Sequence, residues 1–175
     1  MGNYDWTTTF QAIHDRAVAD YRAGKRTAST LFTADDIKFL ATIGCTGQEL
    51  FDLVEDFVRS GAPDFPTVLL VTAARRDYFL TIQRGKPSER VIDMESLPPK
   101  QDALDGITWL PRIIEKARVK LRGEMPPELM FLCGGDRPFL KGVNVHPADF
   151  LRVVWAAGED TQRIVDYVKA SSGRR

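Results

Sequence analysis

The chain has 175 residues, 43% of them apolar and 27% charged, with 24 basic residues against 24 acidic ones. This is the composition of a soluble globular protein, and a net charge of +0 argues against a dedicated nucleic-acid binder, whose affinity comes largely from phosphate neutralisation. Cys45 and Cys133 are the only cysteines, which excludes a zinc framework or disulfide scaffold and points to a reducing cytoplasm.

The opening MGNYDWTTTF lacks a basic-then-apolar pattern, so no signal peptide is predicted. Phe10, Ile13, Ala17 and Tyr21 recur at three and four, predicting a first helix from Trp6 to Ala23. Thr33 with Asp36 reads as a cap before Ile37, Phe39 and Leu40. Thr46-Gly-Gln-Glu49 is a clearer capping box, opening a helix that carries Leu50, Phe51, Leu53, Val54, Phe57 and Val58 and stops at Gly61. After Pro66 an apolar segment from Val68 to Ile82 is long enough to favour a helix over a strand, and the longest apolar-rich run, Phe65 to Ala74, is too short to span a bilayer.

The pattern then breaks. Residues 84–105 are polar and proline-bearing and read as a long surface connection, with a hairpin between 78–82 and 90–94 as the alternative. The next helix has an apolar stripe of Leu110, Ile113, Ile114, Ala117 and Leu121, and a basic stripe of Arg112, Lys116 and Lys120. A turn at Cys133-Gly134-Gly135-Asp136 leads into a short helix. His146-Pro147 opens another that Gly158 ends, and Asp160 caps a last helix. No pair of strands stands out.

These elements predict an all-α, compact multi-helix domain. Its parts are a helical unit at 1–83, the connection at 84–105 and a second helical unit at 106–175, packed as one domain. Comparing 1–75 with 101–175 without gaps finds eleven identities, among them Ile13/Ile113, Asp36/Asp136 and Val54/Val154. Ordinary residue usage gives roughly four or five. The two halves read either as similar units related by an offset of 100 or as amphipathic helices imitating each other.

The second half resembles a bacterial family catalogued as domain of unknown function 5069. The resemblance rests on Leu110-Pro111-Arg112, then Lys116-Ala117-Arg118 and Leu121, then Cys133 and Asp136 ahead of Phe139-Leu140, then Phe150. It covers Gly106 to Lys169. Gly134-Gly135 departs from the family, which has a bulky residue between its cysteine and aspartate. The resemblance implies no reaction; it marks where a site would lie.

The candidate ligand-binding residues are Trp109, Arg112, Lys116, Cys133, Asp136 and Arg137. Pro138 in the first helical turn makes Asp136 the natural N-cap, while free amides at a helix start can hold an anion and lower a thiol's pKa. The basic stripe is either a solvated face, an anion site, or a partner for Glu49, Asp52, Glu55 and Asp56 within the fold or between subunits. Arg112 with Asp136 is the pair the family spacing favours. His14, beside Asp15, reads as a surface or boundary residue, and His146 as a structural helix start.

No nucleotide loop and no nucleophile elbow appears. Neither a metal nor a cofactor is implied, and no catalytic residue can be assigned. Residues 39–54 imitate a helix-turn-helix, but the would-be reading helix is acidic. The reading is therefore a non-catalytic binding or regulatory module for a partner protein or small anion, acting as a monomer or a homo-oligomer. The alternative is a small-molecule enzyme with Cys133 as nucleophile, His146 as base and Arg112 as anion clamp.

Overall fold

The computed structural model describes residues 4–173. It is all-α. The helices are α1 (Trp6–Arg22), α2 (Ala28–Leu31), α3 (Ala34–Thr42), α4 (Gly47–Ser60), α5 (Phe65–Thr81), α6 (Leu110–Arg122), α7 (Asp136–Gly142), α8 (Pro147–Ala157) and α9 (Thr161–Ser172). A two-residue antiparallel ladder, β1 (Ala103–Leu104) with β2 (Ile107–Thr108), pairs Ala103 with Thr108 and Leu104 with Ile107. The hairpin alternative at 78–82 and 90–94 is thus corrected. Residues 78–81 continue α5, and the strands lie at the far end of the connection, where Asp105 and Gly106 take positive φ.

Local chemistry sets the helix starts. Thr46 Oγ1 accepts from Glu49 N at 3.1 Å, and Glu49 Oε2 accepts from Thr46 N at 2.9 Å. Thr33 and Asp36 make the same reciprocal box. Asp64 and Asp160 each accept the amide three residues on, from Thr67 and Arg163. Gly61 ends α4 in the left-handed region at φ 75°.

The segment from Phe65 is a helix throughout. Its apolar residues lie on several faces, and it packs against α1, α6 and α8. One hydrophobic cluster runs from Phe10 on α1 through Val71, Ile113 and Phe150 to Val168 on α9. The connection does not float. Ile92 N donates to Glu124 O at 3.0 Å, Ser88 Oγ to Glu124 Oε1 at 2.9 Å, and Leu97 packs with Val119 and Leu129.

Several pairs of positions one hundred apart are buried alike. Phe10 and Leu110, Ala17 and Ala117, Leu40 and Leu140, Val54 and Val154, and Val68 and Val168 are all buried. Thr46 caps α4 and His146 caps α8. Arg16 pairs with Asp36, and Lys116 pairs with Asp136. No helix among the described residues is long and apolar enough to cross a membrane.

Candidate functional site

Four of the six residues singled out by sequence meet in one buried cluster. Asp136 is 0% exposed and Lys116 2%, and their side chains form an ion pair. The same carboxylate accepts Trp109 Nε1 at 3.1 Å and Leu132 N at 3.0 Å. Lys116 Nζ also lies 3.3 Å from Cys133 Sγ. Two expectations are corrected here. Asp136 is not the N-cap of α7: Gly135 holds that position without a side-chain cap bond, and Asp136 turns inward to three donors. Nor does Arg112 pair with it, because Arg112 Nη1 donates to Pro98 O at 2.7 Å. Arg137, on the next position, reaches Asp56 on α4 and Leu132 O.

The cluster is a clasp between α6 and the turn before α7. Its carboxylate and ammonium are mutually satisfied, so no charge remains to recruit a ligand. The Trp109 ring closes it from outside: a Cβ at Gly135 would sit 2.5 Å from Trp109 Cζ2. The basic stripe is likewise not a solvated face. Lys120 is 4% exposed and donates to Glu49 Oε1 at 2.8 Å, so basic α6 meets acidic α4 inside the fold.

His14 is corrected as well. It is 2% exposed, with its ring 4.8 Å from that of Phe65, and its Nε2 has no hydrogen-bond partner. Burial lowers its pKa, against the opposing pull of Asp15. His146 caps α8 through Nδ1, which accepts from Ala148 N at 3.2 Å. It lines an open cleft with Arg137, Lys141 and Asp64, but Cys133 does not line that cleft. The three residues of the catalytic alternative thus have separate partners.

A second cleft, of about 490 Å³, was not anticipated. One wall comes from Gly44 and Cys45 of the α3–α4 turn with Glu49 of α4, and another from Arg75, Phe79 and Leu80 of α5. Gly85 and Pro87 of the connection and Gly123 and Met125 after α6 close the remaining sides.

Arg75 dominates its electrostatics. The residue is 2% exposed. Its Nη1 donates to Gln83 Oε1 at 2.7 Å, and Gln83 Nε2 donates in turn to Arg122 O at 2.9 Å. Its Nε has no partner, and the guanidinium carbon lies 5.2 Å from the Phe79 ring centroid. Burial lowers the pKa of Arg75, while the charge of nearby Glu49 opposes that shift. Glu49 is committed to Lys120; burial alone would raise its carboxyl, but Lys120 and the Thr46 amide hold it below its ordinary value. Burial, with Glu49 beside it, pushes the Cys45 thiol up to about 12, so that thiol is neutral.

One sequence signal could have found Arg75. Val71, Arg75 and Phe79 lie at i, i+4 and i+8, on one face of α5, and both neighbours are buried. An arginine between two core residues on one face is a candidate for burial, and Arg75 is 2% exposed. Among the described residues, no three His, Cys, Asp or Glu side chains gather to hold a metal ion.

In comparisons with known proteins, no curated protein and no solved structure matches the chain. Residues 96–175 match the family model described as Domain of unknown function (DUF5069), the family that the spacing from Leu110 through Cys133 and Asp136 to Phe150 resembles.

Proposed function

We propose that this chain is a non-catalytic binding module that takes a small anion in the cleft at Arg75. The observation that carries this reading is a buried guanidinium with no carboxylate of its own. Arg75 and Lys120 share the neighbourhood of a single acid, Glu49, and Glu49 is bonded to Lys120. One positive charge is left in a cleft with apolar walls. A buried charge without a counter-charge costs several kcal/mol, on the order given for breaking a buried pair. An anion on Arg75 removes that cost, and the cleft volume falls within the range of small-molecule sites, about 300–1,000 Å³.

Two free cysteines suit a reducing cytoplasm. We infer also that the two halves are related helical units packed into one domain, which the matched burial and the paired Arg16–Asp36 and Lys116–Asp136 contacts support. A superposition of 34–60 on 134–160 that fails to bring Asp36 onto Asp136 overturns that inference.

The anion reading is tested by thermal denaturation of the full chain and of Arg75→Met with acetate, hexanoate, sulfate and phosphate. At least one anion is expected to raise Tm in the wild type and not in the variant. If no anion protects the wild type, the reading fails, and an Arg75→Met variant less stable than wild type would show that Arg75 is a structural residue.

A further inference from the structure

We infer, on the basis of that anion-site reading, that the ligand is a monocarboxylate with a compact apolar body, its head on Arg75 and its body against Phe79, Leu80 and Met125. The polar groups around the cleft decide this. Thr42 Oγ1 donates to Phe39 O at 2.6 Å. Thr46 Oγ1 is occupied by the Glu49 amide, and Glu49 by Lys120 and the Thr46 amide. Gln83 is bridged between Arg75 and Arg122. Arg75 is therefore the one cleft side chain that combines charge with unspent donor capacity. A ligand has one strong polar anchor and otherwise meets apolar wall.

Charge sets the valence of the head group. One negative charge on Arg75 neutralises the excess charge of the Arg75, Lys120 and Glu49 group. A dianion leaves a surplus negative charge facing Glu49 across apolar walls, where opposite and like charges interact strongly. A guanidinium fork fits carboxylate and phosphate alike, but with Nη1 held by Gln83, Arg75 has fewer donors left than the oxygens of a phosphate dianion require.

The apolar body follows from how the walls approach. Gly44 takes φ +68°, and a Cβ there would lie 2.7 Å from Phe79 Cγ. Gly123 takes φ +69°, and a Cβ there would lie 2.5 Å from Arg75 Nη2. Two residues without side chains thus let the aromatic ring and the guanidinium seat side by side. Phe79, Leu80, Pro87 and Met125 supply surface that gains free energy when covered by hydrocarbon. The oxygen-rich surface of a sugar or nucleotide would meet mostly apolar wall there.

The experiment is isothermal titration of the full chain with acetate, butanoate, hexanoate, succinate and inorganic phosphate, repeated on Arg75→Gln and Leu80→Ala. Affinity is expected to rise from acetate to hexanoate by up to roughly fourfold per methylene. It should vanish in Arg75→Gln. In Leu80→Ala, which keeps the cation and shortens the wall, hexanoate should lose more affinity than acetate. Phosphate or succinate binding as tightly as hexanoate, and lost in Arg75→Gln, overturns the monocarboxylate while leaving the anion site standing. Hexanoate binding that survives Arg75→Gln unchanged, or no binding by any of the five, overturns both. The Leu80→Ala result keeps the question decidable should Arg75→Gln fail to fold.

Discussion

The Lys116 ammonium and the Asp136 carboxylate are buried together at 2% and 0% side-chain exposure, joining α6 to α7. Their counterpart one hundred residues earlier, Arg16 with Asp36, leaves its cation 45% exposed. Removing one partner of the buried pair strands a charge away from water. Lys116→Met and Asp136→Asn should each cost about 3–5 kcal/mol in urea denaturation. Arg16→Met should cost about 0–1 kcal/mol, because water already screens its pair. Similar losses at Lys116 and Arg16 would show that the interior clasp carries no special weight.

Acid should stabilise part of this protein before it unfolds it. Burial, with Glu55, Asp56 and Glu49 nearby, raises Asp52 from 3.8 to about 6, despite the opposing bond from Gln48. An acid whose folded pKa exceeds its unfolded one binds more protons when folded. Its penalty is complete above about pH 6 and is relieved as pH falls toward the unfolded value. Asp52→Asn should therefore raise Tm at neutral pH and match wild type near the unfolded pKa. His14 has the opposite sign: its lowered folded pKa means stability is lost as pH falls below 6.5. The variant should expose that loss, so a Tm profile for Asp52→Asn that stays parallel to wild type from neutral to acid pH contradicts the assignment.

Adjacent glycines should respond in opposite ways. A Cβ at Gly134 meets nothing within 4 Å, whereas one at Gly135 meets Trp109 Cζ2 at 2.5 Å. Gly135→Ala should destabilise by about 1–3 kcal/mol, the range for overpacking. It should also change the tryptophan fluorescence as the ring is pushed from Asp136. Gly134→Ala should be silent by both measures. Equal effects would mean that the ring gives way freely.

The two thiols should separate kinetically. Cys45 is 5% exposed with its pKa pushed up to about 12, and Cys133 is half-buried at the edge of its turn. Ellman's reagent should label Cys133 in the native protein and Cys45 only on unfolding. Early labelling of Cys45 would place the Arg75 cleft open to solvent down to its floor. A Cys133 rate no greater than that of a free thiol between about pH 6 and 9 removes the nucleophile alternative.

Helix existence was written in local patterns. The three- and four-residue spacing of Phe10, Ile13, Ala17 and Tyr21 sufficed for α1, observed at Trp6–Arg22. The Thr46 capping box was legible because both partners lie within four residues. The family resemblance, rather than any local period, brought Lys116, Cys133 and Asp136 together, and the start of α7 reads wrongly in sequence because Asp136 turns inward to Lys116 instead of capping. The β1–β2 ladder was not legible, because two residues per strand carry no periodicity.

What sequence alone determined is therefore the all-α architecture and the capped starts of α3, α4 and α9. Those rest on interactions between residues near in the chain. Only the tertiary structure decided that Lys116 rather than Arg112 faces Asp136, that His14 is interior, and that Arg75 lines a cleft without a carboxylate of its own. Each of these depends on which distant element packs against a given helix face. The α3–α4 turn, α5 and the segments around Gly85 and Gly123 meet only after folding, so no local pattern could specify the charge balance there.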